Sequence, residues 1–283
     1  MKLTCVTATF NCVKAGNRES LIRCIESVAQ LKTEHEHLIY DGASTDGTAK
    51  LLYELEKKTP CLKVVSEPDT GIYNALNKGV RDAKGEWFYV LGADDYICAS
   101  KVLDVILTTV QPDVDVIIAP VERDRNNVFF KQKKDLAKIF CTVPYSHQGM
   151  VMKTEHVRTF GGFDELSYHI CADWDMMLKA HDKALHFFYT YEAFAFYKAG
   201  GLSESDKECW KEVTKVIQNH VGLNDIQVQH LKSFGFQPLH IMFRYLFHKD
   251  YAYRIGAKAM IKKWLKYYFR KIIGFPISGM RKS

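Results

Sequence analysis

The first 120 residues alternate short apolar runs with amphipathic stretches, and that rhythm leaves few folds open. "LTCVTATF" (3–10), "HEHLIYDG" (35–42), "LKVVSE" (62–67), "EWFYVLG" (86–92) and "DVDVIIAP" (113–120) have strand lengths and β-branched or aromatic content. The segments between them read as helices. In "ESLIRCIESVAQL" (19–31), Leu21, Ile25, Val28 and Leu31 share one face. "STDGTAKLLYELEKK" (44–58) opens with capping residues, and "GIYNALNKGVRDAKG" (71–85) and "SKVLDVILTTV" (100–110) continue the series. A strand–helix alternation predicts an α/β fold: a mostly parallel sheet with helices on both faces. Ligands of such sheets sit beyond the carboxyl ends of the strands. Thr7, Thr9, Asp41, Asp69 and the adjacent pair Asp94–Asp95 fall at or near those ends.

After Pro120 the rhythm changes. "VERDRNNVFFKQKK" (121–134) reads as a hairpin or loop, and "PYSHQGMVMK" (144–153) as a loop entering a strand. A second loop, from Phe160, leads into a helix beginning near Asp173. "LHFFYT" and "AFAFYK" read as strands and 203–232 as helical. The expected division is a catalytic domain over 1–239, in halves 1–119 and 120–239, followed by a tail over 240–283.

A hydrophobic content of 47% supplies a core and argues against disorder. No apolar run reaches the roughly 18 residues of a membrane-spanning helix. The opening "KLTCVTATF" is strand-like and lacks a signal-peptide layout. Eight cysteines show neither a CxxC pair nor metal-like spacing, so reduced thiols in the cytoplasm, mostly buried, are expected. Charge is uneven. From His240 onward eleven Lys/Arg face one acid, Asp250, a net +10 that leaves residues 1–239 at −4.

Two like charges side by side, as in "VLGADDY" (90–96), need something to offset them. Taken alone, "ADD" fits equally a metal site or an acidic loop capping the helix after Ser100. The wider pattern decides. "VTATFN", "DGASTDGT", "SEPDTGIYNALNKGVRDAKGEW", "LGADD", "SHQGMVMK", "GGFDE", "ADWD" and "GGLSE" occur in this order over about residues 3–205. That series resembles glycosyltransferase family 2, with closest likeness to bacterial members that build cell-surface polysaccharide. The resemblance implies a GT-A (Rossmann-like) fold, a nucleotide-sugar donor, a divalent metal and inversion at the anomeric carbon.

A diphosphate leaving group carries about two negative charges, and hard Mn²⁺ or Mg²⁺ prefers carboxylate and phosphate oxygens. By resemblance Asp95 is the metal ligand and Asp94 the ribose-side residue. Asp41 would accept a uracil N–H, although Tyr40 stands where many members carry a further acid. Asp46 reads as a helix cap. Thr7 and Thr9 line the base pocket or are ordinary strand residues. Asp69 would sit near the nucleoside, and Lys78 meets a phosphate or is solvated.

Inverting transfer needs a base on the face opposite the leaving group. Asp173 of "ADWD" matches the family's catalytic position, with helix capping as the bland alternative. Asp175 points elsewhere, and Ala172 replaces a glutamate common in relatives. Trp174 is either an acceptor platform or core. His147 and Gln148 are candidates for the acceptor side, and Ser203, in a glycine-containing loop, for the donor phosphate.

In the tail, Lys258, Lys262, Lys266 and Arg270 recur every four residues opposite Ala257, Ile261, Trp264, Leu265, Tyr268 and Ile272. That is the layout of a basic amphipathic helix on an anionic membrane surface, or of a helix packed on the domain. It suits a lipid-linked glycan acceptor and an enzyme peripheral on the inner face of the cell membrane. No nucleic-acid fold signature accompanies the basic residues. Two other functions remain in view: a non-catalytic nucleotide-sugar-binding module, and a sugar nucleotidyltransferase. The second wants a glycine-rich basic phosphate loop, of which "TFNCVKAGNRES" is a poor version.

Overall fold

A computed structural model describes residues 1–123, 146–198 and 206–221. Nearly all of these belong to one compact unit, Met1–Lys133 with Tyr145–Val216. The elements are β1 (Leu3–Thr9), α1 (Arg18–Ala29), β2 (His35–Asp41), α2 (Thr48–Glu56), β3 (Leu62–Ser66), α3 (Ile72–Asp82), β4 (Trp87–Val90) and β5 (Tyr96–Ile97). Then come α4 (Ser100–Thr109), β6 (Val116–Ile118), β7 (Val121–Arg123), β8 (Met150–Lys153) and α5 (Thr154–Thr159). The series closes with α6 (Ala172–Asp182), β9 (Phe187–Tyr189), β10 (Ala195–Tyr197) and α7 (Asp206–Val221).

Seven strands form one sheet in the order β3-β2-β1-β4-β8-β6-β9. β1 pairs in parallel with β2 and β4, β2 with β3, and β6 with β9. β8 is antiparallel to both β4 and β6. The sheet is therefore mixed and mostly parallel, as the alternation predicts, with one reversed strand. β5, β10 and β7 form a small second sheet.

Alternation along β1 assigns the two faces. Leu3 and Cys5 join Cys24 and Val28 of α1 and Leu103, Ile106 and Leu107 of α4 in one core. Leu51 and Leu52 of α2 pack on Ile39, Leu62 and Val64 beside it. The other face carries α3, where Gly79 lies directly on Val6: a Cβ there would stand 2.5 Å from Val6 Cγ1. β4, buried on both faces through Trp87, Phe88 and Tyr89, is the central strand. Each such aromatic contributes about 1.5–3 kcal/mol through burial.

Tyr40 donates its hydroxyl to Asp82 on α3, so it faces that helix rather than the strand-end rim. Of the cysteines described, Cys5, Cys12, Cys24 and Cys171 are buried and Cys61, Cys98 and Cys209 partly so, and none of these is in a disulfide. No helix among the described residues is long and apolar enough to cross a membrane. The tail over 240–283, the helical reading beyond Val221 and Ser203 lie outside the described residues.

Candidate active site

The carboxyl ends of β1, β2 and β3 make a polar rim. Asp41 closes β2 and is 1% exposed. Its Oδ1 accepts from Thr9 Oγ1 (3.1 Å) and Ser44 Oγ (2.5 Å), its Oδ2 from the Ser44 amide (2.9 Å) and Ser66 Oγ (2.6 Å). A carboxylate has about four acceptor positions, and this chain fills them. The expected uracil N–H finds no open acceptor there. Asp41 and Thr9 instead tie three strand ends together.

Thr7 is fully buried and donates to the Leu91 carbonyl at 2.8 Å, with His37 Nε2 3.0 Å away. It is an interior strand residue, not a pocket lining. Burial holds His37 neutral, its pKa lowered to about 3.

Asp69, partly exposed, follows β3 and accepts the Gly71 amide at 3.0 Å. Its carboxylate rests on Gly42, where any Cβ would stand 2.8 Å from Oδ2. Lys78 does not reach out toward a ligand. Its ammonium pairs with Glu67 (2.7 Å) and the Pro68 carbonyl (3.0 Å), so it braces the turn that carries Asp69. Asp46 accepts the Thr48 amide and hydroxyl at 3.0 and 2.7 Å, as a residue guarding the start of α2 should.

Beside the end of β4 a cavity of about 340 Å³ opens, lined at its mouth by Asp94, Asp95, His147, Gln148, Asp173 and Lys198. Asp95 is 2% exposed. Its Oδ2 accepts from Gln148 Nε2 (2.8 Å) and its Oδ1 from the Lys198 amide (2.9 Å). Burial pushes its carboxyl above the usual range, against the pull of those two donors and of His147; Asp94 adds to the rise. Gly92 makes the turn possible, since a Cβ there would meet Asp95 Oδ2 at 2.5 Å and Asp94 Oδ1 at 3.4 Å.

Asp173, which lines the same cavity, stands in the first turn of α6. Its Oδ2 lies 3.1 Å from His147 Nδ1. Its Oδ1 accepts from the Trp174 amide (2.8 Å) and from Tyr73 OH (3.3 Å). Burial alone would depress His147, but the hydrogen bond and charge of Asp173 overcome it and raise its pKa. The segment Ser146–Gly149 thus touches both acids: Gln148 holds Asp95 and the neighbouring His147 holds Asp173.

Trp174 is fully buried. One residue past Asp173 on a helix it turns about 100° away, and it packs in the core instead of forming an acceptor platform. Asp175 turns inward too and pairs with Lys179 at 2.8 Å.

Four contributors have no signature in the sequence. Tyr73 bonds the Ile170 carbonyl (2.6 Å) as well as Asp173. The Lys198 amide comes from the far end of the domain to reach Asp95. Asn77 exchanges two 2.8 Å hydrogen bonds with the Phe163 backbone. Glu212 on α7 accepts the amides of His169, Ile170 and Cys171 (2.7, 2.7 and 2.9 Å), fixing the approach to α6. Tyr73 and Asn77 are marked only by lying in the motif "SEPDTGIYNALNKG".

No group of three or more His, Cys, Asp or Glu that could hold a metal occurs among the described residues. The donor set is two adjacent carboxylates, and each Asp95 oxygen keeps a lone pair after its one protein hydrogen bond. Its burial leaves a charge in want of a counter-ion. That set fits a hard cation shared with a ligand's phosphates, not one enclosed by protein alone.

The glycosyl transferase family 2 model matches residues 4–172, more than half of the chain, and stops one residue short of Asp173. The "PGL/p-HBAD biosynthesis glycosyltransferase" of Mycobacterium tuberculosis (strain ATCC 25177 / H37Ra) is 29% identical over 199 residues, 67% of this chain and 77% of that protein. The "Putative glycosyltransferase EpsH" of Bacillus subtilis is 25% identical over 150 residues, 52% and 43% of the two chains. In fold, the chain is similar to S. aureus TarS 1-349 in complex with UDP-GlcNAc: TM-score 0.64, 18% identity, covering 96% of this chain and 92% of that one. It is also similar to the mannosyltransferase PcManGT from Pyrobaculum calidifontis in complex with GDP-Man and Mn2+: TM-score 0.59, 19% identity, covering 94% and 75%.

Proposed function

From the premise that the chain belongs to glycosyl transferase family 2, we propose that this nucleotide-sugar glycosyltransferase inverts at the anomeric carbon, with Asp173 as base. The observation that carries this is that Asp94, Asp95 and Asp173 line one cavity, with neighbouring Gln148 and His147 contacting Asp95 and Asp173 respectively. An in-line displacement needs both centres within reach of one sugar, because the leaving group and the incoming hydroxyl lie on its opposite faces. Asp173 takes the acceptor's proton, and His147 orients its carboxylate. Asp95, with Asp94 beside it, would hold Mn²⁺ or Mg²⁺ together with the diphosphate. When bound, the ion neutralises charge building on the departing phosphate. Asp69 serves the nucleoside end from the rim, and Ser203 stays a candidate phosphate contact. A UDP-sugar is the favoured donor.

The acceptor we propose is a hydroxyl of a lipid-linked glycan in surface polysaccharide or glycolipid assembly. The name of the mycobacterial relative, a PGL/p-HBAD biosynthesis glycosyltransferase, supports the glycolipid part of this. So does the basic tail over 240–283, which would hold the enzyme on the anionic inner face of the membrane. Replacing Lys258, Lys262, Lys266 and Arg270 by Gln should release the full chain from vesicles containing phosphatidylglycerol in a sedimentation assay; unchanged binding counts against the tail's role.

The test of the chemistry is a nucleotide-sugar panel read by thermal stabilisation with Mn²⁺. A stabilising donor is then supplied with lipid acceptor. Asp173→Asn should keep the stabilisation and lose nucleoside diphosphate release by a factor of 10³ or more, on the order of what a positioned base contributes. Wild-type release in that variant refutes the assignment of the base. Asp95→Asn should lose both readouts.

A further inference from the structure

Behind its polar mouth the cavity changes character. Leu76, Phe88, Met150, Met152, Phe163 and Met176 line its depth, none more than 9% exposed. The hydroxyl of Tyr73, which lines the cavity, is committed to the Ile170 carbonyl at 2.6 Å. A hydroxylated ring pushed inward would give up water and find few partners, which costs free energy, whereas an apolar group is drawn in. Three of the six lining side chains are methionines, whose unbranched thioethers adapt to irregular apolar shapes.

The apolar depth belongs to the wall that carries the base. Met176 follows Asp173 by three residues on α6, which puts both on one helix face. Tyr73 joins them, its hydroxyl 3.3 Å from Asp173 Oδ1 and its ring stacked on Phe163 at 5.6 Å. The rim residues Thr9, Asp41 and Asp69 are not among those lining the cavity. Through Tyr73 and Met176 the apolar volume adjoins Asp173, and with it the incoming hydroxyl.

We infer that the cavity receives an apolar aryl or short alkyl group of the acceptor, joined within about one ring's length of the hydroxyl that Asp173 deprotonates. The inference rests on the reading of Asp173 as the base. It narrows the acceptor from any glycan hydroxyl to one carried on, or next to, an apolar aglycone.

The probe is 4-(trifluoromethyl)phenol, followed by ¹⁹F NMR on the full chain. Expected is saturable binding, displaced by 4-butylphenol and not by methyl glucoside. The filling variants Met152→Phe and Leu76→Phe, checked for folding by circular dichroism, should weaken it at least tenfold. Absence of saturable binding overturns the inference. So does equal displacement by both competitors, which needs no variant, or undiminished binding in both folded variants. Nucleotide-sugar stabilisation, measured separately, tells the two failures apart. Stabilisation without phenol binding removes the apolar acceptor and leaves the proposed function standing. Phenol binding without stabilisation by any donor removes the proposed function, and the acceptor assignment with it.

Discussion

The rim over β1–β3 and the mouth beside β4 are both built on an aspartate near a strand end, and their surroundings differ. Asp41 is met by four neutral donors from three strand ends and their loops. Asp95 is met by two, with a second carboxylate next to it and burial that raises its pKa. Hydrogen bonds have used up the first carboxylate. The second keeps lone pairs, and burial works against its charge despite two donors and nearby His147, a cost that a bound cation would offset. Residue type is the same in both; the count of donors is what differs.

The comparison is broken most forcefully at Gly92. Gly92→Ala would drive a methyl into Asp95 Oδ2. Displacing a catalytic group by about 1 Å costs roughly 10²-fold in rate, so nucleoside diphosphate release should fall by about that factor while the circular dichroism spectrum is unchanged. If activity survives, the site does not depend on the placement of Asp95.

Asp41→Asn comes next and should act on stability. An amide nitrogen cannot accept, so two of the four donors lose their partner in a buried place, at about 1–3 kcal/mol each. Urea denaturation should show that loss. Nucleotide-sugar affinity falling far more than stability would return Asp41 to the base-contact role.

The smallest effect concerns His147. Its pKa in the folded chain is raised above the ordinary 6.5 by Asp173. The stabilisation is therefore fully present below pH 6.5 and fades as pH climbs through the raised value. His147→Ala should remove about 1 kcal/mol at mildly acidic pH, as partly exposed pairs do, and flatten stability against pH above 6.5. A pH dependence identical to wild type would show that His147 and Asp173 do not interact in solution.

Much of this was legible beforehand. The strands β1–β4 and β6 and the helices α1–α4 follow from apolar periodicity, because each buries one face against a neighbour in the chain. Asp94, Asp95 and Asp173 were legible as a set only through motif order. The reversed strand β8 was not, since "GMVMK" reads the same in either direction. Trp174 and Thr7 were ambiguous for a similar reason: an aromatic next to a catalytic acid, or a threonine in a strand, looks the same whether it faces a ligand or the core.

By itself the sequence determined the alternation of elements, the carboxylates near strand ends and the unequal charge of the two ends of the chain, because these depend on neighbours within a few residues. Tertiary structure alone decided that Asp41 is saturated, that Lys78 turns back to Glu67, and that Gln148 and His147 divide two acids between them. It also placed an apolar hollow under Asp173. Several of these partners are brought together across gaps of 25 to 103 residues, and no local pattern encodes which donors will arrive.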